Sequence, residues 1–181
     1  MIKEIQENID KSQEYLKIKE FDNAELILLK NLKISENSFE TYFLLGAISG
    51  IKKKYTQAED YLKKSISLNP SHINSIVNLA IISKKKNKTD STIKYFKEVL
   101  KLENDNVESL CGLAQIYQEI RDFKEAENYY KKALKINPSH HIANHGYGKL
   151  LLKLNRHIDG LKLIEKVSGI IRFKKNNFQI I

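Results

Sequence analysis

The chain has 181 residues, a formal net charge of +9, two prolines, seven glycines and one cysteine. This length suits a single domain, and so few prolines and glycines suit an all-helical protein. Residues 1–13 contain no apolar core flanked by basic residues, so we expect no secretory signal. No apolar run approaches the ~18 residues that a membrane span needs. Cys111 has no second cysteine to pair with, which makes a reducing cytoplasm the simplest setting.

The stretch 107–138 predicts two amphipathic helices joined by a short polar turn. In each helix, apolar residues recur three and four positions apart and therefore share one face. These residues are Leu110, Leu113, Ala114 and Tyr117 in the first helix and Ala126, Tyr130 and Ala133 in the second. The second helix should end before Pro138, because proline cannot continue a helix. Two such helices cannot bury their apolar faces on each other alone, so neighbouring helices are expected.

The same pattern recurs along the chain with a period of 34 residues. Pro70 and Pro138 are separated by twice this period, and the frames need no insertion. The frames are 5–38, 39–72, 73–106, 107–140 and a degenerate 141–168. A small residue recurs where two helices would cross, at Gly46, Ala80, Ala114 and Gly148. In period and residue type, the frames resemble the tetratricopeptide repeat family.

That resemblance implies an all-α, right-handed superhelical solenoid of five helix–turn–helix repeats across residues 1–168. Some frames depart from the family pattern. The third frame has Thr92 where alanine is usual and Asn104 in place of the closing proline. The first frame has a polar first helix, which suits a terminal repeat because one of its faces meets water.

The last residues, 169–181, no longer follow the helical period. They predict a short extended, non-helical tail that is either a cap on the last helix pair or a junction to a further domain. The residues that would form the cap are Ile170, Ile171, Phe173, Phe178, Ile180 and Ile181. The cap is favoured because exposed apolar surface at a chain end is costly.

The positive charge is carried mainly by lysine, since the chain has only three arginines. Nucleic-acid grooves favour arginine for its bidentate guanidinium, so the composition disfavours a nucleic-acid partner. The lysine runs 52–54 and 84–86, the latter together with Lys88, end predicted first helices, where cations complement the helix dipole. We interpret these lysines as solvated helix ends. A basic surface that binds RNA or another polyanion is kept as an alternative, because the third and fifth frames are the most basic.

No arrangement of residues predicts catalysis. His141 and His145 have metal-ligand spacing, but no glutamate lies between them and no nearby Cys or Asp offers a third ligand. His157 and Asp159 match part of an oxygenase iron triad, yet no histidine follows them to complete it. Glycine-rich phosphate loops are absent from the sequence. We therefore expect no catalytic residue, no metal and no cofactor.

In the family that the repeats resemble, the first helices line a concave groove that binds the partner. By helical phase, the residues facing that groove are Phe43, Ala47, Asn74, Val77, Asn78, Ile81, Cys111, Gln115, His145 and Lys149. The resemblance implies a non-catalytic module that binds a peptide or helix of another protein there, without membrane insertion. Self-association is left open. The enzyme-class alternative is the docking half of a larger enzyme, for example a 2-oxoglutarate/iron oxygenase, whose catalytic domain is absent here.

One specialised function of the family is not carried over. Some of its members hold a chaperone's C-terminal carboxylate with a clamp of lysine, asparagine and arginine. Asn78 matches one clamp asparagine, but Ile9, Val77, Glu108 and Gly112 stand where the other clamp residues are required.

Overall fold

The computed structural model describes residues 2–168 together with the segments 171–174 and 177–180. These residues form ten helices and one two-stranded antiparallel hairpin. The helices are α1 (Ile2–Lys17), α2 (Phe21–Ile34), α3 (Phe39–Ile51), α4 (Tyr55–Leu68), α5 (Ile73–Lys85), α6 (Thr89–Leu102), α7 (Val107–Glu119), α8 (Phe123–Ile136), α9 (His141–Lys153) and α10 (His157–Ser168). The strands are β1 (Ile171–Lys174) and β2 (Asn177–Ile180).

The predicted fold class is confirmed, because the ten helices form five helix–turn–helix repeats. The first helices α3, α5, α7 and α9 begin at residues 39, 73, 107 and 141, which are spaced 34 residues apart. The first helix differs from expectation, since α1 begins at Ile2 and therefore precedes the predicted frame start at Ile5. None of the helices in residues 2–168 is both long enough and apolar enough to cross a bilayer.

The tail is extended as predicted, but it is paired with itself as a hairpin in which Ile171 lies opposite Ile180. The predicted capping contacts of Ile170, Ile171, Phe173, Phe178, Ile180 and Ile181 concern side chains that lie outside the described residues.

The turn inside each repeat has the same backbone geometry five times. A non-glycine residue with positive φ follows each first helix, at φ values between 56° and 64°. These residues are Lys19, Lys53, Asn87, Arg121 and Asn155. The next N–H donates to a carbonyl five residues earlier, as Lys54 does to Ser49 at 2.9 Å. This 6→1 bond defines a Schellman motif, which ends a helix and redirects the chain.

We predict that Lys53→Gly stabilises the protein. Left-handed backbone costs a side-chain-bearing residue about 1–2 kcal/mol, which exceeds the roughly 0.5–1 kcal/mol that glycine loses through its larger unfolded-state entropy. The free energy of unfolding, measured by urea denaturation, should rise by about 0.5–1 kcal/mol. The matched control is Lys64→Gly on the exposed side of α4, which should lower it by about 1 kcal/mol. Equal losses for both variants would contradict the shared turn geometry.

Within each repeat the two helices approach so closely that the crossing residue must be small. A Cβ atom on Gly46 would lie 2.7 Å from Leu62 Cγ, and one on Gly148 would lie 2.8 Å from the carbonyl oxygen of Gly160. Ala80 and Ala114 occupy the same position in their repeats and are fully buried. The predicted role of these small residues in helix crossing therefore matches the geometry.

The chain divides into two compact units, one ending at Tyr95 and one beginning at Phe96. In the first unit, each helix from α1 to α4 contacts the next one, and α3 also contacts α5. Its buried core includes Leu28, Leu45 and Leu62. In the second unit, α7 contacts both α8 and α9, around a core that includes Leu110 and Tyr130. Within each unit, two first helices thus lie side by side and can share one binding face.

Ion pairs join the second helix of one repeat to the turn of the next. Glu59 of α4 accepts hydrogen bonds from Lys86 at 2.7 Å and from Lys88 at 3.1 Å, and also from Lys63 on its own helix. Its side chain is only 10% exposed. The hydrogen bonds from Lys63 and Lys86 lower the pKa of Glu59 to about 2, against the opposing effect of burial.

The same link recurs one repeat earlier and two repeats later. Lys52 contacts both Asp22 and Glu25 of α2. Arg156 donates to Glu127 of α8 at 2.9 Å. Glu25, Glu59 and Glu127 occupy the same position of their frames. The interpretation of the lysine runs as solvated helix ends is therefore corrected, because Lys52, Lys86 and Lys88 bind carboxylates of the preceding repeat.

We predict that Glu59→Gln lowers the free energy of unfolding at pH 7 by about 1.5–3 kcal/mol, since it weakens charge-assisted hydrogen bonds. The native pKa of Glu59 is about 2, below its ordinary value of 4.5. Its contribution is therefore complete above pH 4.5 and is lost as pH falls towards 2. Urea denaturation between pH 7 and pH 2.5 should show a shallower acid loss in the variant.

The control for this experiment is Asp60→Asn, because Asp60 is the exposed neighbour of Glu59 on α4. This variant should keep the acid dependence of the unmodified protein. If Glu59→Gln and Asp60→Asn behave alike, the ion pairs do not stabilise the junction between repeats.

Candidate functional site

Two clefts coincide with positions that the sequence assigns to the groove. Ala47, Asn78 and Ile81 line a cleft in the first unit, which we call the apolar cleft. Gln115, His145 and Lys149 line a cleft in the second unit, which we call the polar cleft.

The apolar cleft has a volume of about 320 Å³ and lies between α3, α4 and α5. Three of the four α3 residues in its wall are small, which keeps the helix surface low and leaves space above the core. A Cβ atom on Gly50 would lie 3.1 Å from Ile82 Cδ1. Its lining residues are Gly46, Ala47, Gly50 and Ile51 of α3, Tyr55 and Leu62 of α4, and Asn78, Ile81, Ile82 and Lys85 of α5. Among these described lining residues, only Lys85 is charged.

Two isoleucines flank this cleft with much of their surface in water. Ile51 is 55% exposed and Ile81 is 41% exposed. Burying an isoleucine side chain stabilises by about 1.5–3 kcal/mol, so each exposed rim residue is available to drive binding. Asn78 adds an amide that can both donate to and accept from a peptide backbone. An apolar cleft with an exposed apolar rim and one amide suits a protein segment with a large apolar side chain.

The polar cleft has a volume of about 290 Å³ and lies between α7, α8 and α9. Its base is Tyr130, whose hydroxyl donates to Gln118 Oε1 at 3.5 Å. The α9 backbone lies directly on this ring, because a Cβ atom on Gly146 would collide with the Tyr130 hydroxyl. The remaining lining residues are Gln115 and Glu119 of α7 and His141, Ile142, His145 and Lys149 of α9.

The surroundings of His145 favour its neutral form. Burial, followed by the nearby charges of Lys149 and His141, lowers the pKa of His145. Its Nδ1 atom is buried and has no hydrogen-bond partner among the described residues. An enclosed N–H without an acceptor is more costly than an unpaired lone pair, so the proton belongs on Nε2. His145 therefore offers one N–H donor at the cleft.

His141 does not share this role. Its Nε2 atom lies 3.1 Å from the carbonyl oxygen of Val167, which can only accept. The two rings are stacked with centroids 6.4 Å apart. Within the described residues, no group of three His, Cys, Asp or Glu side chains is placed to hold a metal ion.

Four predicted groove residues line neither cleft. Phe43 is half-buried and packs edge-on against the ring of His72, with centroids 4.9 Å apart. Asn74 is exposed and Val77 is half-buried, but neither belongs to the apolar cleft. Cys111 is 3% exposed, with its sulfur 3.6 Å from His140 Nδ1. It therefore offers a partner almost no surface.

Sequence reasoning missed several lining residues, among them Ile51, Tyr55 and Lys85 of the apolar cleft and Gln118 and Tyr130 of the polar cleft. Tyr130 was assigned to the core, which it also joins. The signal that could have found the apolar cleft is Gly46-Ala47 followed by Gly50, a run of small residues on one face of a first helix.

We predict that Cys111 reacts slowly with iodoacetamide in the folded protein. Burial, with a smaller effect of Glu108, raises the pKa of this thiol from 9.0 to about 12. Only the thiolate reacts, so labelling at pH 8 should be slower by roughly a hundredfold or more than in denaturant. Mass spectrometry measures both rates. Comparable rates would instead place Cys111 at an accessible groove surface.

Solved structures with the same architecture include those of PilF, MamA and YrrB. PilF from Pseudomonas aeruginosa superposes with a TM-score of 0.83 at 15% identity, covering 93% of this chain and 78% of that one. MamA (residues 41 to the end) from Desulfovibrio magneticus RS-1 gives 0.79 at 15% identity, covering 91% and 93%. YrrB, described as a TPR protein with an unusual peptide-binding site, gives 0.69 at 16% identity, covering 88% and 82%. At these identities, the likeness establishes the fold. No curated protein matches the sequence.

Helix pairs repeated in register, with clefts between adjacent first helices, define a class of helical-repeat interaction proteins. Models of the tetratricopeptide repeat match residues 39–72, 73–106 and 107–140, which is more than half of the chain. The chain belongs to the tetratricopeptide repeat family. Proteins of this family are generally non-catalytic scaffolds that bind protein or peptide partners.

Proposed function

We propose that this chain is a non-catalytic interaction module whose apolar cleft binds a segment of a partner protein. The observation that carries the proposal is the exposed apolar rim of Ile51 and Ile81 above a cleft of about 320 Å³. The occupant is a peptide or helix that inserts one large aliphatic or aromatic side chain between α3 and α5. Asn78 pairs with its backbone, and Lys85 at the cleft favours an acidic residue beside the inserted side chain.

The same contacts weigh against the RNA alternative. Lys52, Lys86 and Lys88 belong to the basic runs of the first unit, and each is bound to a carboxylate of the same protein. An ion-paired lysine has little charge left to neutralise a phosphate. The RNA hypothesis and the peptide hypothesis predict different responses to salt. A protein that binds a nucleic-acid backbone releases counterions from it, and the free energy gained by that release falls steeply as the salt concentration rises.

The test is selection of peptides from a random display library on the purified protein. We expect enriched peptides to combine a large apolar residue with an acidic neighbour. Ile81→Glu places a charge at the rim and should weaken the selected peptides by about tenfold or more. The matched control is Ile136→Glu, since Ile136 is 45% exposed on α8 and lines neither cleft. It should leave their affinity unchanged.

Three outcomes would contradict the proposal: no enriched sequence, equal losses for Ile81→Glu and Ile136→Glu, or preferential binding of an RNA oligonucleotide that disappears with added salt. Asn78→Ala provides a second measurement that does not add charge. It should weaken the selected peptides and leave the unfolding midpoint within the range of ordinary surface substitutions.

A further inference from the structure

We propose that the polar cleft is a second binding site, which holds a side-chain carboxylate of an acidic segment in a partner protein. The inference rests on the proposed function in one respect, which is that the ligand is a segment of a partner protein. It assigns the second unit a ligand chemistry of its own, distinct from the aliphatic anchor of the apolar cleft.

Three side chains that line this cleft can donate hydrogen bonds to a ligand. Lys149 contributes an ammonium group on the exposed face of α9, and His145 contributes its Nε2–H. Gln118 contributes amide N–H groups, because its oxygen already accepts from Tyr130. These donors come from α7 and α9, which contact each other directly. Donors that converge on one volume of about 290 Å³ suit an acceptor that is negatively charged.

The opposing charge in the cleft sets a limit on the ligand. Glu119 also lines it, so one carboxylate of the protein itself accompanies the cation of Lys149 there. A site with a single lysine can take one further carboxylate through hydrogen bonds. It cannot neutralise a polyphosphate backbone, which brings a charge with every nucleotide and needs a row of cations. The arrangement therefore favours a single carboxylate over a nucleic-acid strand.

The rim of the cleft points to a protein as the source of that carboxylate. Ile142 lies at the cleft and is 52% exposed, which offers apolar contact beside the donors. Amides such as Gln118 can pair with a peptide backbone on either side of the acidic residue. An acidic residue next to an apolar one would satisfy both the donors and the rim.

The experiment uses fluorescein-labelled hexaglutamate as the probe, with hexaglutamine and a twelve-nucleotide uridine oligonucleotide for comparison. We expect hexaglutamate to bind the whole chain more tightly than hexaglutamine, as measured by fluorescence anisotropy. Lys149→Glu should weaken hexaglutamate by about tenfold or more, because it removes a charge-assisted hydrogen bond and adds repulsion. His145→Phe removes the second donor and should weaken the same probe.

The matched control is Lys153→Glu, which makes the same charge change one turn further along α9 and outside the cleft. It should change hexaglutamate affinity by less than about twofold. Equal losses for Lys149→Glu and Lys153→Glu would overturn the proposal in favour of diffuse attraction by a basic protein. Tighter binding of the uridine oligonucleotide than of hexaglutamate would overturn it in favour of RNA.

The two proposals fail separately. Ile81→Glu should weaken binding of peptides selected on the apolar cleft, yet Lys149 should still be required for hexaglutamate. A loss at Lys149 without any selected apolar peptide would contradict the proposed function alone. If apolar peptides are selected but Lys149→Glu leaves the affinity for hexaglutamate unchanged, the polar-cleft proposal alone is contradicted.

Discussion

The close crossing of two helices within each repeat is the constraint on which the remaining structure depends. Gly46 lies against Leu62, and Gly148 lies against the backbone of Gly160, at distances that exclude even one added methyl group. Such close contact fixes the helices relative to each other and buries their apolar faces without large side chains at the crossing. It also leaves little length for the turn, which must reverse the chain within a few residues. The five residues with positive φ end the first helices and redirect the chain within that short turn.

Ion pairs hold the turn of one repeat against the second helix of the preceding repeat. Glu25, Glu59 and Glu127 meet cations of the following turn. At the third repeat, the frame position of Glu59 is occupied by Ile93, so the acidic residue is not present in every repeat. A carboxylate alone at such a half-buried position would be left without compensation.

The sequence predicted the repeats and their register because periodicity depends on residue type at fixed spacing. Leu45, Leu79 and Leu113 are all nearly or fully buried, as that spacing requires. The groove was harder to predict, because helical phase gives the direction of a side chain but not how deeply the neighbouring helices bury it. Phase pointed Cys111 towards the groove, but the neighbouring helices and His140 cover it. It also missed Ile51, because exposure at the end of α3 depends on how the following turn leaves the helix.

The lysine runs show a second limit of sequence reasoning. The local sequence does not show whether a lysine at a helix end contacts water or a carboxylate. The carboxylate partner is 27 residues away in the sequence, both for Lys52 with Glu25 and for Lys86 with Glu59. Only the stacking of consecutive repeats reveals the pairing. Once that stacking is known, the acidic position in one frame and the basic position in the next become visible in the sequence.

The link between Glu59 and Lys86 also bears on how such a chain can lengthen. The 39–72 unit carries Glu59 on its second helix for the unit that follows and Lys52 in its turn for the unit that precedes. A tandem duplication of the 39–72 segment would therefore copy both halves of the link. The new copy would meet a complementary charge on either side without any compensating mutation. Growth by whole repeats is consequently favoured over growth by single residues, because an insertion between a carboxylate and its cation would change the spacing on which their link depends.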